Sequence, residues 1–539
     1  MRFHKLFVHL TRALVVIMIA GGSAIGASPT TPIEHVVVIF QENVSFDHYF
    51  ATYPVAKNSD GTAFTAKPGT PSVNGLTPVL LTNNPNFNGT FGNPFRLSYS
   101  QAPTCDQDHN YMAEQQAFDN GMMDMFPEFT NVGDCVPLSL DAGHPDDLVM
   151  GYYDGNTTTA LWNYAQNFAM NDNSYGTMFG PSAPGAVNLV SGDTDGAVQD
   201  FESGDVTDGS LTDDAQPTGD VCDSRDSAHL TGTNIGNLLN TANLSWGWFE
   251  GGFDLTVTNP NGTTGCARTH TSLTGAFPAK VDYIPHHEPF QFFASTANPA
   301  HKRPSGVSAI GTTDAANHQY DSHDFFDALA AGNLPDVVFL KAPGYQDGHA
   351  GYSSPLDEQI FIADTINQLE ESKFWDSTAV IIEYDDSDGW YDHQMGPIIM
   401  HSQQSTDPAT GNQADALTGP NSCGSSSNGL QGQGRCGYGP RLPFLIISPW
   451  AKTNFVDHTV TDQSSIIAFI EQNWGLPFVS PAAGGNPGSY DQYAGPLINM
   501  FDFTQKKGEV VKHKLFVAPT TGEVLKKAPK DKDTGGDEP

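Results

Sequence analysis

Six stretches of this chain are near-continuous apolar runs bounded by loop residues. They are EHVVVIF (34–40), AVNLVSG (186–192), LSWGWFE (244–250), DVVFLK (336–341), TAVIIEY (378–384) and PFLIISP (443–449). Strands buried on both faces read this way, as in a parallel sheet covered by helices. Helical patterns lie between them, at 147–168, 234–241, 324–331, 354–372 and 462–475. In SPLDEQIFIADTINQLEES, Ile360, Ile362, Ile366 and Leu369 recur at helical spacing. Pro355 near its start and the acidic Asp357 and Glu358 suit a helix N-terminus. The alternation of strands and helices predicts an α/β fold with a central, mostly parallel sheet flanked by helices. Long loops interrupt it at 58–110, 192–229, 259–279 and 401–441. Loops of that length in a compact domain are usually functional rims or tied by disulfides.

Composition adds location to this picture. The chain has 539 residues, 38% of them hydrophobic, enough for a large core. Its formal net charge is −37. A surface that acidic repels nucleic acid and anionic membrane. The start, MRFHKLFVHLTRALVVIMIAGGSAIGASPTTP, places Arg2, Lys5 and Arg12 before an apolar stretch at 13–20 and then small residues. That order predicts a secretory signal peptide over 1–27, cut after Ala24, Gly26 or Ala27, and hence a secreted or periplasmic protein. The apolar stretch is short for a span of about 20 residues, so no stable membrane anchor is expected. Six cysteines suit export. Six allow about 15 pairings. The simplest joins sequence neighbours: Cys105–Cys135, Cys222–Cys266 and Cys423–Cys436. The Lys- and Pro-rich segment 506–539 reads as an extension, with a short hairpin in LFVAPTTGEVL and a disordered end, KDKDTGGDEP.

Ligands of open α/β sheets bind beyond the carboxyl ends of the strands. QENVSFDHYF follows the first strand run, APGYQDGHAGY the fourth and DDSDGWYDH the fifth. Glu42, Asn43, His349, Asp385 and Asp386 are thereby offered at three strand ends. Carboxylates and an amide oxygen form a hard donor set that suits a divalent cation. In EYDDSDGWYDH, such a cation would answer a concentration of like charge that is costly to bury unpaired. Asp388 and Gly389 are expected to form the turn that follows, with Asp392 and His393 bracing it. Histidines in dense polar runs, His109, His286, His287 and His349, have the chemistry to contact phosphate or move a proton. His301, His323, His401 and His458 sit in weaker contexts and read as structural. Ser182, in GPSAPG, sits in a tight turn that could expose one hydroxyl. The segment lacks the GxSxG spacing of a hydrolase elbow. Walker A, GxGxxG and HExxH motifs are absent.

Seven ordered blocks resemble the bacterial phosphoesterase family that contains AcpA-type acid phosphatases and secreted phospholipases C. They are IEHVVVIFQENVSFDHYFATYP, DQDHNYMAEQQAFDNGMMDMF, YGTMFGPSAPGAVNLVSG, VDYIPHHEPFQFF, FLKAPGYQDGHAGYSSPLDEQ, AVIIEYDDSDGWYDHQMGP and LPFLIISPWAKTNFVDHTVTDQSSIIAFIEQNW. They run from about residue 33 to 505, which suggests a single phosphoesterase domain over 28–505. The resemblance implies an alkaline-phosphatase-like fold. It implies one divalent metal cation held by Glu42, Asn43, Asp385 and Asp386. It implies Ser182 as nucleophile, with His109, His287 and His349 around the phosphoryl group; His286 competes with His287 for that place. One departure stands out: the opening block often reads ENRSFDHYFGTYP, and Val44 and Ala51 replace the Arg and Gly.

The function implied is a broad-specificity acid phosphatase acting on small phosphorylated substrates through a phosphoserine. A phospholipase C cleaving phosphatidylcholine-type diesters shares the site chemistry. The polar loops here favour soluble monoesters over a lipid surface. A third reading is a secreted metal-binding protein without turnover, which the full set of competent residues disfavours.

Overall fold

A computed structural model of the chain describes residues 26–529, apart from 134, 136–137, 403, 420–421, 425–429, 433 and 483–486. Residues 1–25, most of the expected signal peptide over 1–27, and the tail from 530 lie outside the described residues. One nine-stranded sheet organises the rest. Its strands, in chain order, are β1 (His35–Gln41), β2 (Ala169–Tyr175), β3 (Trp246–Glu250), β4 (Gln319–Asp321), β5 (Val337–Lys341), β6 (Thr378–Tyr384), β7 (Arg441–Ile447), β8 (Phe455–Asp457) and β9 (Thr461–Asp462). The order across the sheet is β4-β3-β5-β1-β6-β7-β2-β8, with β9 also pairing with β2. Every pairing is parallel except those of β7, which runs against β6 and β2. The mixed α/β architecture with a large, mostly parallel sheet is therefore as the sequence predicts.

β1, β5 and β6 are buried along their whole length, which explains their unbroken apolar character. The flanking helices are α1 (Phe46–Phe50), α2 (Tyr111–Phe118), α3 (Thr159–Asn167), α4 (Ser182–Ser191), α5 (Ile235–Thr241), α6 (Ser322–Ala331), α7 (Pro355–Glu371) and α8 (Ser464–Trp474). In α7, Ser354 caps the first turn through its hydroxyl and Pro355 occupies N1, the arrangement its sequence suggested. α3 packs on α7 and α4 on α8. The segment after 506 docks on α7: Asn367 exchanges both of its amide bonds with the backbone of Val517.

Two expectations fail. The run at 186–192 is not a strand but the body of α4. That helix is buried on every side, so its apolar residues show no amphipathic period and mimic a core strand. The expected helix over 147–168 contains only α3, preceded by a 3-10 turn at Leu148–Met150 and a short strand at Gly151–Tyr152. β2 was not anticipated, because AMNDNSY is polar in the middle of a sheet. Asn171, at its centre, is paired: it donates to the carbonyl of Thr459 at 2.9 Å and to the Thr461 hydroxyl at 3.1 Å.

The three cysteine pairs are those joining sequence neighbours. Asp392 and His393 belong to a buried charge cluster around Arg441. The guanidinium lies 3.0 Å from Asp392 and 3.1 Å from Asp47, and donates to the carbonyls of Asn74 (2.7 Å) and Asp172 (3.0 Å). Asp47 also meets His393 Nδ1 at 2.5 Å. One cation thus ties α1, the loop after β6, and the strands β2 and β7. Replacing it leaves two buried carboxylates short of their cation. Arg441→Met is expected to lower the unfolding free energy by roughly 3–5 kcal/mol, read by chemical denaturation.

Candidate active site

Three adjacent strands, β5, β1 and β6, end side by side. Lys341 is the last residue of β5. Glu42 and Asn43 follow β1, and Asp385 and Asp386 follow β6. β2, on the far side of β7, leads through residues 176–181 to Ser182, the first residue of α4. A strand–loop–helix unit therefore delivers the hydroxyl, not the loop–strand unit read from the sequence. At the start of a ten-residue helix, Ser182 faces the positive end of the helix dipole.

The Ser182 hydroxyl oxygen is 3.1 Å from Glu42 Oε2, 3.3 Å from Asn43 Oδ1 and 3.1 Å from Asp386 Oδ2. A hydroxyl carries one proton. Three acceptor oxygens around it are more than that proton can satisfy. Asp385 stands one step behind. Its Oδ1 accepts the backbone N–H groups of Asn43 (2.9 Å) and Asp386 (2.8 Å), and its Oδ2 lies 3.3 Å from Lys341 Nζ. The Lys341 ammonium also bonds Glu42 Oε1. Asn43 adopts φ +58°, in the left-handed region that Asn tolerates better than most residues. That turn aims its N–H at Asp385 and its side chain at Ser182.

The electrostatics of this group lack positive charge. Burial and the neighbouring Asp385 push the Glu42 carboxyl well above the usual range, although Lys341 opposes them. Burial does the same to Asp386, against the pull of His109. Burial would also raise Asp385, but the Lys341 ammonium together with hydrogen bonds from Glu42 and from the backbone N–H groups of Asn43 and Asp386 holds that carboxyl below its ordinary value. Excess acceptor oxygens and unbalanced buried carboxylates both fit a hard divalent cation. Glu42, Asn43, Asp385 and Asp386 could supply its donors.

The family model for the phosphoesterase family matches residues 33–477. The chain belongs to the phosphoesterase family. Among curated relatives, the non-hemolytic phospholipase C of Pseudomonas aeruginosa is 25% identical over 457 residues, covering 83% of this chain. The match spans 55% of that relative's length, about half of it. Phospholipase C B of Mycobacterium tuberculosis is 24% identical over 503 residues, covering 89% of this chain and 80% of that one. Among solved structures, a phosphonate monoester hydrolase from Silicibacter pomeroyi is a distant likeness: 12% identity, 63% of this chain and 72% of that one, TM-score 0.28.

The histidines of this family member occupy different positions. His287 Nε2 lies 3.4 Å from Glu42 Oε1, at the carboxylates. His286 points elsewhere, toward Arg225 at 3.2 Å and Asp214 at 3.9 Å. His109 stands 3.4 Å from the Asn43 amide and 3.3 Å from Asp388. Burial opposes its charge, but Asp386, Asp106 and Asp388 prevail and raise its pKa well above the usual value. His349 and His109 approach with ring centres 6.1 Å apart. The His349 Nδ1 is 2.5 Å from the Ala350 carbonyl and so carries the hydrogen, which leaves Nε2 as the free ring nitrogen. Burial lowers its pKa to about 4. His109, His286 and His349 line a cavity of about 430 Å³ that opens beside the Ser182 cluster. Asp106, His109 and His349 also form a potential ligand group by themselves.

Three residues of the site escaped the sequence reading. Lys341 closes DVVFLK; a lysine on a fully buried strand was a legible signal. Asp388 was expected to serve only a turn. It does adopt φ +53°, but its side chain is buried, accepts the Asn43 amide at 3.2 Å and pairs with His109. Glu114, inside α2, had no sequence signal. Its carboxylate accepts the Gly180 N–H at 2.9 Å and the Ser387 hydroxyl at 2.7 Å, joining the loop before Ser182 to the loop after Asp386.

α4 approaches the Asp385 backbone very closely. A Cβ built on Gly185 would lie 2.1 Å from the Asp385 carbonyl oxygen. Gly185→Ala must push the helix away from that loop. It is expected to lower stability by about 1–3 kcal/mol in chemical denaturation, although alanine favours helix more than glycine does.

Proposed function

We propose that this protein is an exported, metal-dependent phosphoesterase that acts chiefly on phosphomonoesters, as an acid phosphatase, through a phosphoserine on Ser182. The observation that carries this reading is the Ser182 hydroxyl at the start of α4, ringed by Glu42, Asn43 and Asp386 within 3.3 Å. Export is supported by the leader pattern and three disulfides. Among the described residues, no helix is long and apolar enough to cross a membrane.

One divalent cation would be held by Glu42, Asn43, Asp385 and Asp386. When bound, it would neutralise these groups and polarise a phosphoryl oxygen. The chain's own residues do the rest. Ser182 yields its proton to one of the acceptors around it, and its oxygen attacks phosphorus in line. The Oγ–P bond forms as the bond to the leaving oxygen breaks. His109, held positive, faces the charge on the equatorial oxygens. A phosphate dianion beside His349 raises the pKa of that ring, so that its free nitrogen can carry a proton to the leaving oxygen. Water then cleaves the Oγ–P bond, releasing phosphate and restoring the hydroxyl.

The named relatives favour a second reading, a phospholipase C acting on phosphatidylcholine-type diesters. Rates on p-nitrophenyl phosphate and on phosphatidylcholine, measured from acidic to neutral pH, separate the two. The monoester should be the better substrate.

Two variants test the site. Ser182→Ala is expected to abolish turnover and to prevent trapping of phosphate on the chain by acid quench; full activity would remove Ser182 from its role. Asp386→Asn is expected to lose bound divalent metal, measured by elemental analysis after dialysis, together with activity. Its circular dichroism should stay that of the wild type. Retained metal would remove Asp386 from the ligand set.

A further inference from the structure

The cavity beside Ser182 has one cation that the proposed chemistry does not use. Lys280 lies on a short hairpin strand, Lys280–Val281, that pairs with Thr269–His270 at the end of the long loop after β3. Its ammonium sits over the ring of Tyr352, 3.8 Å from the centroid. Tyr352 in turn stacks on His349, with ring centres 4.2 Å apart. Lys280, Tyr352 and His349 therefore form a continuous wall of the cavity. The acids that face Lys280 are Asp347, Asp106 and Glu42.

The two acids that line the cavity, Asp106 and Asp214, also have other partners. Asp214 accepts the Ala183 N–H, the first free donor of α4 after the hydroxyl, at 2.8 Å. Asp106 lies 3.8 Å from the His109 ring, which is itself positive. Lys280 is held on an aromatic face instead, an attachment that leaves its N–H donors available to an incoming anion.

We propose that Lys280, carried on Tyr352, is a specificity-determining residue that selects doubly charged phosphomonoesters over choline-bearing phosphodiesters. This rests on the phosphoesterase reading of Ser182. A monoester presents one more negative charge than a diester, and the ammonium meets it as a charge-assisted donor. A phosphocholine diester brings a single negative charge and a quaternary ammonium, which Lys280 repels. An arginine would keep the charge, and a glutamine would keep much of the shape while removing it.

The test compares wild type, Lys280→Gln and Lys280→Arg on p-nitrophenyl phosphate and p-nitrophenyl phosphorylcholine, with inorganic phosphate as a competitive inhibitor. Thermal unfolding of each variant is run in parallel. In Lys280→Gln, kcat/KM for the monoester should fall roughly 10- to 100-fold, while that for the diester holds or rises. The inhibition constant of phosphate should weaken in step, and Lys280→Arg should recover most of the loss. An equal fall on both substrates, or an unchanged ratio, overturns the proposal. If the wild type hydrolyses neither substrate, the phosphoesterase reading fails instead. Calorimetric binding of inorganic phosphate then decides on Lys280: unchanged affinity in Lys280→Gln overturns it, and a tenfold or greater loss upholds the anion subsite.

Discussion

Everything at the carboxyl end of this sheet depends on burying like charge. Glu42, Asp385 and Asp386 lie together at the ends of β1 and β6, each at most 2% exposed. Carboxylates taken out of water are stable only when paired and fully hydrogen-bonded. The fold supplies part of that pairing from within. Lys341 reaches Glu42 and Asp385 from the neighbouring strand. Two backbone N–H groups converge on Asp385 Oδ1. The left-handed turn at Asn43 exists to make one of those bonds possible. Strand order, turn conformation and side-chain choice thus answer one electrostatic demand.

The Ser182 hydroxyl, the proposed nucleophile, reaches this cluster from a distant part of the chain, and its placement needs separate fixing. α4 is buried throughout and pressed against the Asp385 backbone, where Gly185 alone permits the approach. Glu114 fastens the loop before Ser182 to the loop after Asp386. Burial raises the Glu114 pKa to about 7, in spite of the two donors that favour its charged form. On the outer side, Arg441 holds the continuation of both acid-bearing segments through Asp47 and Asp392. The distances around the hydroxyl are therefore set by three separate tethers, one from α2, one from β7 and one from the close packing of α4.

The strands that carry the acids were legible because burial on both faces leaves an unmistakable apolar run, and β1, β5, β6 and β7 all fall where such runs predict them. The same logic failed for α4. A helix buried on all sides loses the period that distinguishes it from a strand, and Pro184 and Gly185 inside it look like turn residues. β2 failed for the opposite reason: a buried strand can be polar when groups such as the Asn171 amide find partners, and partners are a property of the fold. The acids and the serine were visible as residue types at strand ends or in a tight turn. Their roles came from the family resemblance, and their convergence is a fact of topology. Lys341 was readable in DVVFLK as a lone cation in a buried run. Glu114 was not, because nothing local marks a helix residue whose two acceptors serve loops far away in sequence.

Charge balance then limits what completes the site. Asp388 and His109 pair with each other 3.3 Å apart and cancel. His287 and His349 have pKa values lowered first by burial, and so count as neutral near pH 7. With all three ionised, Glu42, Asp385 and Asp386 set three carboxylates against the one ammonium of Lys341, an excess of two negative charges that burial resists at Glu42 and Asp386. A single divalent cation offsets that excess, whereas a second would leave the free site positive. A positive free site would bind anions indiscriminately. A balanced one leaves recognition to groups at the rim of the cavity, such as the Lys280 ammonium. In the proposed one-cation site, the lysine at the end of β5 would be what balances this many acids, linking the buried electrostatics of the sheet to the pocket above it.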